Sequence, residues 1–347
     1  MHFVEYSGIN SFIVGMAQVL LKESVIRETR GYKCYELPNP IVIKINNPTS
    51  RIVTLGDRRW NCFLPYIESL WLALGRNDME MIGHYLPRMY DFSDDKQFMR
   101  AAYGPRLRFF DNASSDYKKT YLGDNKDKYG VGIDQFKFVE ECFNRDPFTR
   151  QAVMTILDPT KDFFEEDATL KNTKDFPCTC NIQFLRKGDT LDMIVHMRSN
   201  DFFWGASAVN IFNYTFIQEY FSRILNLKIG AYYHIVNNLH FYENFKYQLE
   251  LLSVADAPSE PRYEYEKKFN NLKDFDSQIL KLEDLEDRLR KQKGKVELEI
   301  FEDDFFNDWA KVIFLFHTKS AKDISFVNPA LNIVTENFRR KASLFEN

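Results

Sequence analysis

Apolar side chains recur along this chain with two periods, and the period changes from one segment to the next. Residues 8–24 and 63–76 carry them at helical spacing, and the second stretch (FLPYIESLWLALGR) ends near Gly75, a residue suited to stopping a helix. A more polar helix is expected over 78–88. Another is expected over 133–145, closed at Asp146-Pro147 because a residue before proline disfavours the helical region. Ile41, Ile43 and Ile45 alternate with their neighbours after Pro38 and Pro40, a strand signal, and residues 152–157 read as a short apolar strand. Ile182 and Phe184, then Leu191, Met193, Val195 and Met197, read as two antiparallel strands joined at Lys187-Gly188-Asp189. A long aromatic-rich helix follows over 209–226, and a strand over 232–236. Residues 111–131 and 160–176 are polar or charged and read as surface excursions.

The pattern shifts after residue 255. Ala257-Pro258-Ser259-Glu260-Pro261 reads as a linker or turn. Beyond it Ile279, Leu282, Leu285 and Leu289 recur at helical spacing among charges. Residues 1–255 therefore read as an α+β unit and residues 256–347 as a helical extension of unassigned role.

Composition narrows the function classes. The 32 Phe and 18 Tyr of 347 residues can build a sizeable core. The formal charge of −4 lacks the basic footprint of a nucleic-acid binder, so a bound anion should be met by a few placed arginines. No apolar run has the length of a membrane span, and the N-terminus does not resemble a cleavable signal. Five scattered cysteines, an odd number, point to reduced thiols and a cytoplasmic protein. Cys178-Thr179-Cys180 is too tight for a zinc knuckle and no second Cys/His pair follows, so no metal is expected.

The candidate chemistry centres on Pro177-Cys178. An isolated cysteine is more often a small buried hydrophobe than a nucleophile. Here Arg198-Ser199-Asn200-Asp201 follows the next strand, Asn210 opens the long helix, and His240-Phe241-Tyr242 follows the strand after that. Together they offer a thiol, a cation, a carboxylate, an amide and two hydrogen-bonding rings.

In this serial order the chain resembles the thymidylate synthase superfamily, which includes the pyrimidine nucleotide hydroxymethylases. The resemblance rests on Pro177-Cys178 before Gln183-Phe184, on Arg198-Ser199-Asn200-Asp201 with Gly205 and Asn210, and on His240 with Tyr242. Upstream it rests on Glu68-Ser69-Leu70-Trp71, Tyr103-Gly104 and Asp146-Pro147-Phe148-Thr149-Arg150. It spans roughly residues 8–245, closer to divergent phage-like branches than to the housekeeping enzyme.

The resemblance implies the thymidylate synthase α+β fold, a large mixed sheet backed by helices, in a homodimer. It implies thiolate addition of Cys178 to C6 of a pyrimidine nucleoside monophosphate, with 5,10-methylenetetrahydrofolate as the one-carbon donor. Arg198, Ser199, Arg30 and, from a second subunit, Arg150 are implied at the phosphate, where a planar guanidinium binds two oxygens at once. Asn210 is implied at the pyrimidine edge, with a donor and an acceptor for uracil O4 and N3–H. His240 and Tyr242 would meet the sugar hydroxyl. Glu68 would order water and move protons, and Tyr103 would accept or relay the C5 proton. Asp201 and Trp71 are implied at the folate. Simpler readings stand beside these: Glu68 as a solvated helix charge, Trp71 as core, Asn210 as a helix N-cap, and His84, His196, His234 and His317 as structural or surface residues.

Four departures from the family pattern matter. Thr179 stands where the family has His, and Gln151 where it has a second arginine. The loop before Asn210 is one residue longer and lacks its proline, and the C-terminal tail that closes over folate is not recognisable. Conversion of dUMP to dTMP is the leading expectation. Hydroxymethylation of dUMP, UMP or a cytosine nucleotide is the alternative, and an inactive nucleotide- or protein-binding relative is the reading from another class.

Overall fold

The computed structural model describes residues 2–29, 31–110, 120–125, 132–256, 260, 262–292, 296–318 and 324–343, with side chains to residue 336. Arg30, most of the expected 111–131 loop, and four residues of the expected 257–261 linker lie outside them.

The strands are β1 (His2–Tyr6), β2 (Val25–Thr29), β3 (Tyr32–Glu36), β4 (Ile41–Ile45), β5 (Val153–Thr155), β6 (Thr179–Lys187), β7 (Thr190–Met197), β8 (Asn200–Asp201), β9 (Lys228–Val236) and β10 (Leu239–Tyr242). The helices are α1 (Ile9–Glu23), α2 (Leu64–Ala73), α3 (Met79–Tyr85), α4 (Tyr103–Arg108), α5 (Gln135–Arg145), α6 (Pro159–Asp162), α7 (Ile211–Ile224), α8 (Lys246–Ser253), α9 (Leu272–Lys291), α10 (Asp304–Thr318) and α11 (Pro329–Ser343). A six-stranded mixed sheet runs β1-β4-β9-β7-β6-β5, and a four-stranded sheet runs β2-β3-β10-β8. This is the expected α+β class.

The alternation of β4 does what its pattern asks: Ile41, Ile43 and Ile45 are buried against the helices. The β6–β7 hairpin closes through two residues between Lys187 and Thr190, with Gly188 at φ +62°, a conformation glycine adopts without strain. In α7 every residue but Arg223 is buried, because the helix is covered on one side by the sheet and on the other by α2 and the C-terminal helices. That is why its sequence is aromatic all round rather than striped.

The small sheet escapes the sequence pattern. All five residues of β2 are exposed, so it has no buried face to produce alternation and is held by its ladder to β3. The 160–176 segment is more anchored than a surface excursion. Asp162 is fully buried between Arg100 and Arg106, and the Asp175 carboxylate accepts the Ala101 N–H.

The C-terminal helices share the core of the rest of the chain. Ile279, Leu282, Leu285 and Leu289 are fully buried. Asp276 of α9 forms a two-pronged ion pair with Arg108 of α4 (2.7 and 2.9 Å), and Trp309 of α10 donates its indole N–H to the Tyr66 carbonyl of α2. Among the described residues no helix is long and apolar enough to cross a membrane.

Candidate active site

The nucleophile candidate sits where β6 begins. Cys178 is half-buried, and its backbone N–H and that of Thr179 both donate to the Tyr103 hydroxyl, at 3.1 and 3.2 Å. Tyr103 opens α4, so a helix N-terminus and a strand start are tied together by one phenol. Burial pushes that phenol well above its ordinary range, so it stays protonated. Its oxygen accepts two N–H groups already, which bears on the expectation that Tyr103 accepts a proton.

Arg198 reaches the same place from the end of β7. Its guanidinium donates to the carbonyls of Pro177 (2.8 Å) and Phe176 (3.1 Å) and to the Cys178 sulfur (3.7 Å), and it lies over the Phe176 ring. Arg198 thus sets a positive charge, with an N–H aimed at it, against the Cys178 sulfur.

Thr179, in place of the family histidine, turns inward. It is fully buried and its hydroxyl pairs with Tyr214 of α7 at 2.5 Å. Two of the other departures also have local accounts. Gln151 is held by a hydrogen bond from Arg145. The segment before Asn210, expected to be one residue longer than the family pattern, forms a π-helix over Phe202–Asn210, whose wider turns take one more residue than an α-helix. Two side chains that sequence reasoning missed pin it. Arg58, buried, donates to Ser207 Oγ (2.9 Å) and to the Phe203 carbonyl, and Trp60 donates to the Ala208 carbonyl (2.8 Å). Burial lowers the Arg58 guanidinium to about 10. Nothing in the Arg58-Arg59-Trp60 run distinguishes it from a surface turn, so only the fold reveals its role.

Asn210 ends the π-helix and opens α7, yet its side chain caps nothing. Its amide instead donates to Asn200 Oδ1 at 3.2 Å. Asp201, the N-cap of the π-helix, accepts the Trp204 N–H with one oxygen, while Oδ2 is buried without a hydrogen-bond partner. Burial raises its carboxyl above the ordinary value. The parallel pairing of β8 with β10 sets His240 beside Asp201, and Ser199 Oγ lies 3.5 Å from His240 Nδ1. Tyr242 follows on the same strand, its ring edge-on to His240 and Tyr32.

Glu68 comes from α2. Burial pushes its carboxyl up to about 7, against the opposing effect of a hydrogen bond with Asn213 of α7, which also accepts Ser69 Oγ. Glu68 is part-buried on α2. Trp71, one turn on, is buried with its indole N–H on the Asp78 carbonyl. Arg150 is exposed, its carbonyl bonded to Gln183 of β6. Among the described residues no group of three or more His, Cys, Asp or Glu is placed to hold a metal ion.

A cysteine turn bonded to an arginine lies on the mixed sheet, and an amide heads the buried helix packed against that sheet. The thymidylate synthase family profile matches residues 18–296, and the chain belongs to that family. Within it, the chain is 35% identical over 223 residues to the deoxyuridylate hydroxymethyltransferase of Bacillus phage SP01, covering 64% of this chain and 54% of the relative. It is 30% identical over 222 residues to that of Pseudomonas phage M6, covering 64% and 56%. The thymidylate synthase of Equine herpesvirus 2 (strain 86/87) is 24% identical over 229 residues, covering 62% and 74%. The chain thus spans little more than half the length of the phage relatives it matches.

Proposed function

We propose that this protein is a folate-dependent one-carbon transferase acting on C5 of dUMP, and that its product is 5-hydroxymethyl-dUMP. This moves the favoured product away from dTMP, which the sequence put first. What favours the hydroxymethyl product is the relatives: phage proteins named deoxyuridylate hydroxymethyltransferase match at 35% and 30%, whereas the herpesvirus thymidylate synthase matches at 24%.

The observation that carries the chemistry is the Arg198 guanidinium 3.7 Å from the Cys178 sulfur. The thiolate adds to C6, which makes C5 nucleophilic. Arg198 has further N–H groups for the nucleotide phosphate, with Ser199 beside it. Asn210 reads the base edge, and His240 and Tyr242 line the sugar side. Glu68, near neutrality, both gives and takes protons, and Tyr103 holds the nucleophile's turn. The buried, unpartnered Oδ2 of Asp201 fits a folate ring, which presents N–H donors. 5,10-Methylenetetrahydrofolate supplies the one-carbon unit when bound, and water supplies the hydroxyl oxygen. No hydride is consumed. Cytoplasmic residence belongs to the same reading.

We also infer a homodimer through the open face of the large sheet. Gln183, Ile194 and Tyr233 share one register row, and Phe3, Val42 and Ile235 the next, all on the face away from the helices and all part-exposed or exposed. Arg150, at this sheet's β5–β6 edge, is available to a partner's phosphate. A purely monomeric protein in sedimentation at micromolar concentration removes the inference.

The direct test is mass analysis of the product from dUMP and methylenetetrahydrofolate. A product one oxygen heavier than dTMP is expected; dTMP itself would return the assignment to methylation. Native protein should also form a covalent complex with 5-fluoro-dUMP that Cys178→Ser does not form. Nucleotide binding with no tritium released from [5-³H]dUMP would instead mark an inactive relative.

A further inference from the structure

The amide of Asn210 is held by a relay that runs away from the site into the core. Asn210 Nδ2 donates to Asn200 Oδ1 (3.2 Å), and Asn200 Nδ2 bonds His234 Nε2 (2.8 Å). His234 Nδ1 in turn pairs with the Tyr232 hydroxyl (2.8 Å). Asn200, Tyr232 and His234 are all buried, so water cannot substitute for a lost partner.

An asparagine amide has two orientations that differ by exchange of oxygen and nitrogen, so something must choose. The chooser here is the thioether of Met197. Sulfur in a thioether accepts and never donates. Asn200 Nδ2 lies 3.0 Å from Met197 Sδ, and Asn210 Nδ2 lies 3.8 Å from it. Turning Asn200 over would set its oxygen against that sulfur and its NH₂ against the NH₂ of Asn210. His234 reinforces the choice: burial lowers it to about 3, so the imidazole is neutral and offers a lone pair at Nε2. The space is also closed, since a Cβ on Gly205 would stand 2.1 Å from Asn200 Oδ1.

We infer that Asn200 and His234 are positioning residues that fix the Asn210 amide with its oxygen free, and thereby select a pyrimidine with a proton on N3. Among the described residues Asn210 Oδ1 receives no hydrogen bond, so it presents an acceptor to N3–H of uracil and a lone-pair clash to N3 of cytosine. The inference rests on the functional reading above, in which Asn210 faces the base. It assigns the choice between uracil and cytosine to residues that touch neither.

The test measures equilibrium binding of dUMP and dCMP to the full chain and to Asn200→Ala and His234→Phe. Native protein is expected to prefer dUMP, and each variant to lose about tenfold of that preference, the value of one hydrogen bond held in a desolvated site. A general loss of packing would weaken both nucleotides alike and leave the ratio unchanged. Folded variants that keep the native ratio, or a native protein that binds both equally, overturn the relay while leaving the C5 chemistry standing. A native protein that binds neither nucleotide overturns the functional reading, and the relay with it. A ¹⁵N spectrum of the native imidazole tests the relay without any variant. Protonation at Nδ1 is expected, and a proton on Nε2 overturns it.

Discussion

At the residue scale, Glu68 is a site carboxyl held far from its ordinary chemistry. Its carboxyl is raised from 4.5 to about 7 by burial on α2. The folded protein therefore holds this proton between pH 4.5 and about 7, while the unfolded chain releases it. The stability this contributes is full at the acid end and is lost as pH rises through that window. Glu68→Gln removes an ionisable group from a desolvated site, so at pH 8 the variant should be more stable, by up to ~3 kcal/mol. At pH 4 the difference should vanish. Turnover should fall by about 10²-fold or more, because the amide cannot exchange a proton. Thermal melts at the two pH values, with one rate measurement, check both halves. A variant that is both less stable at pH 8 and fully active would show that Glu68 is an ordinary helix carboxylate.

At the scale of elements, the π-helix over Phe202–Asn210 is the decisive piece. It delivers Asp201 at one end and Asn210 at the other. Gly205 lies inside it, where a Cβ would come 2.1 Å from Asn200 Oδ1 and 3.1 Å from Asn210 Nδ2. Both neighbours belong to the hydrogen-bonded relay, so neither yields cheaply. Gly205→Ala is therefore expected to weaken dUMP binding by about tenfold through the lost amide bond. Isothermal titration reads this directly, and unchanged affinity would mean that the turn relaxes freely. Arg58 and Trp60 should limit such relaxation, since each holds a carbonyl of the same helix.

At the scale of the molecule, the C-terminal helices and the site are one packing problem. Phe216 of α7 stacks on Phe305 (4.8 Å) and meets Trp309 edge-on (4.7 Å), and Tyr220 stacks on Phe275 (4.3 Å). The helix headed by Asn210 is thus braced by residues 55 to 93 positions downstream of the side chains they touch. Trp309 is fully buried, and Trp309→Ala should cost ~3–5 kcal/mol. One melting transition, shifted as a whole, is the expected form of that loss. A chain ending at residue 255 would leave this aromatic layer exposed and should not fold to a soluble, nucleotide-binding unit. If it did, residues 256–347 would be an appendage.

What the sequence settled by itself were the features with local causes. The Ile41, Ile43, Ile45 alternation, the glycine-turned β6–β7 hairpin and the α9 stripe of Ile279, Leu282, Leu285 and Leu289 follow from side-chain period and backbone freedom. The serial order from Glu68 to Tyr242 carried the family. Tertiary structure alone decided how far Cys178 lies from Arg198, because that distance depends on a strand start meeting the end of its neighbour. It alone assigned work to Arg58, Asn200 and His234, whose roles arise from partners 145, 10 and 34 residues away. Hydrogen bonds between such distant positions leave no period in the chain, and burial, which gives them their strength, exists only once the chain has folded.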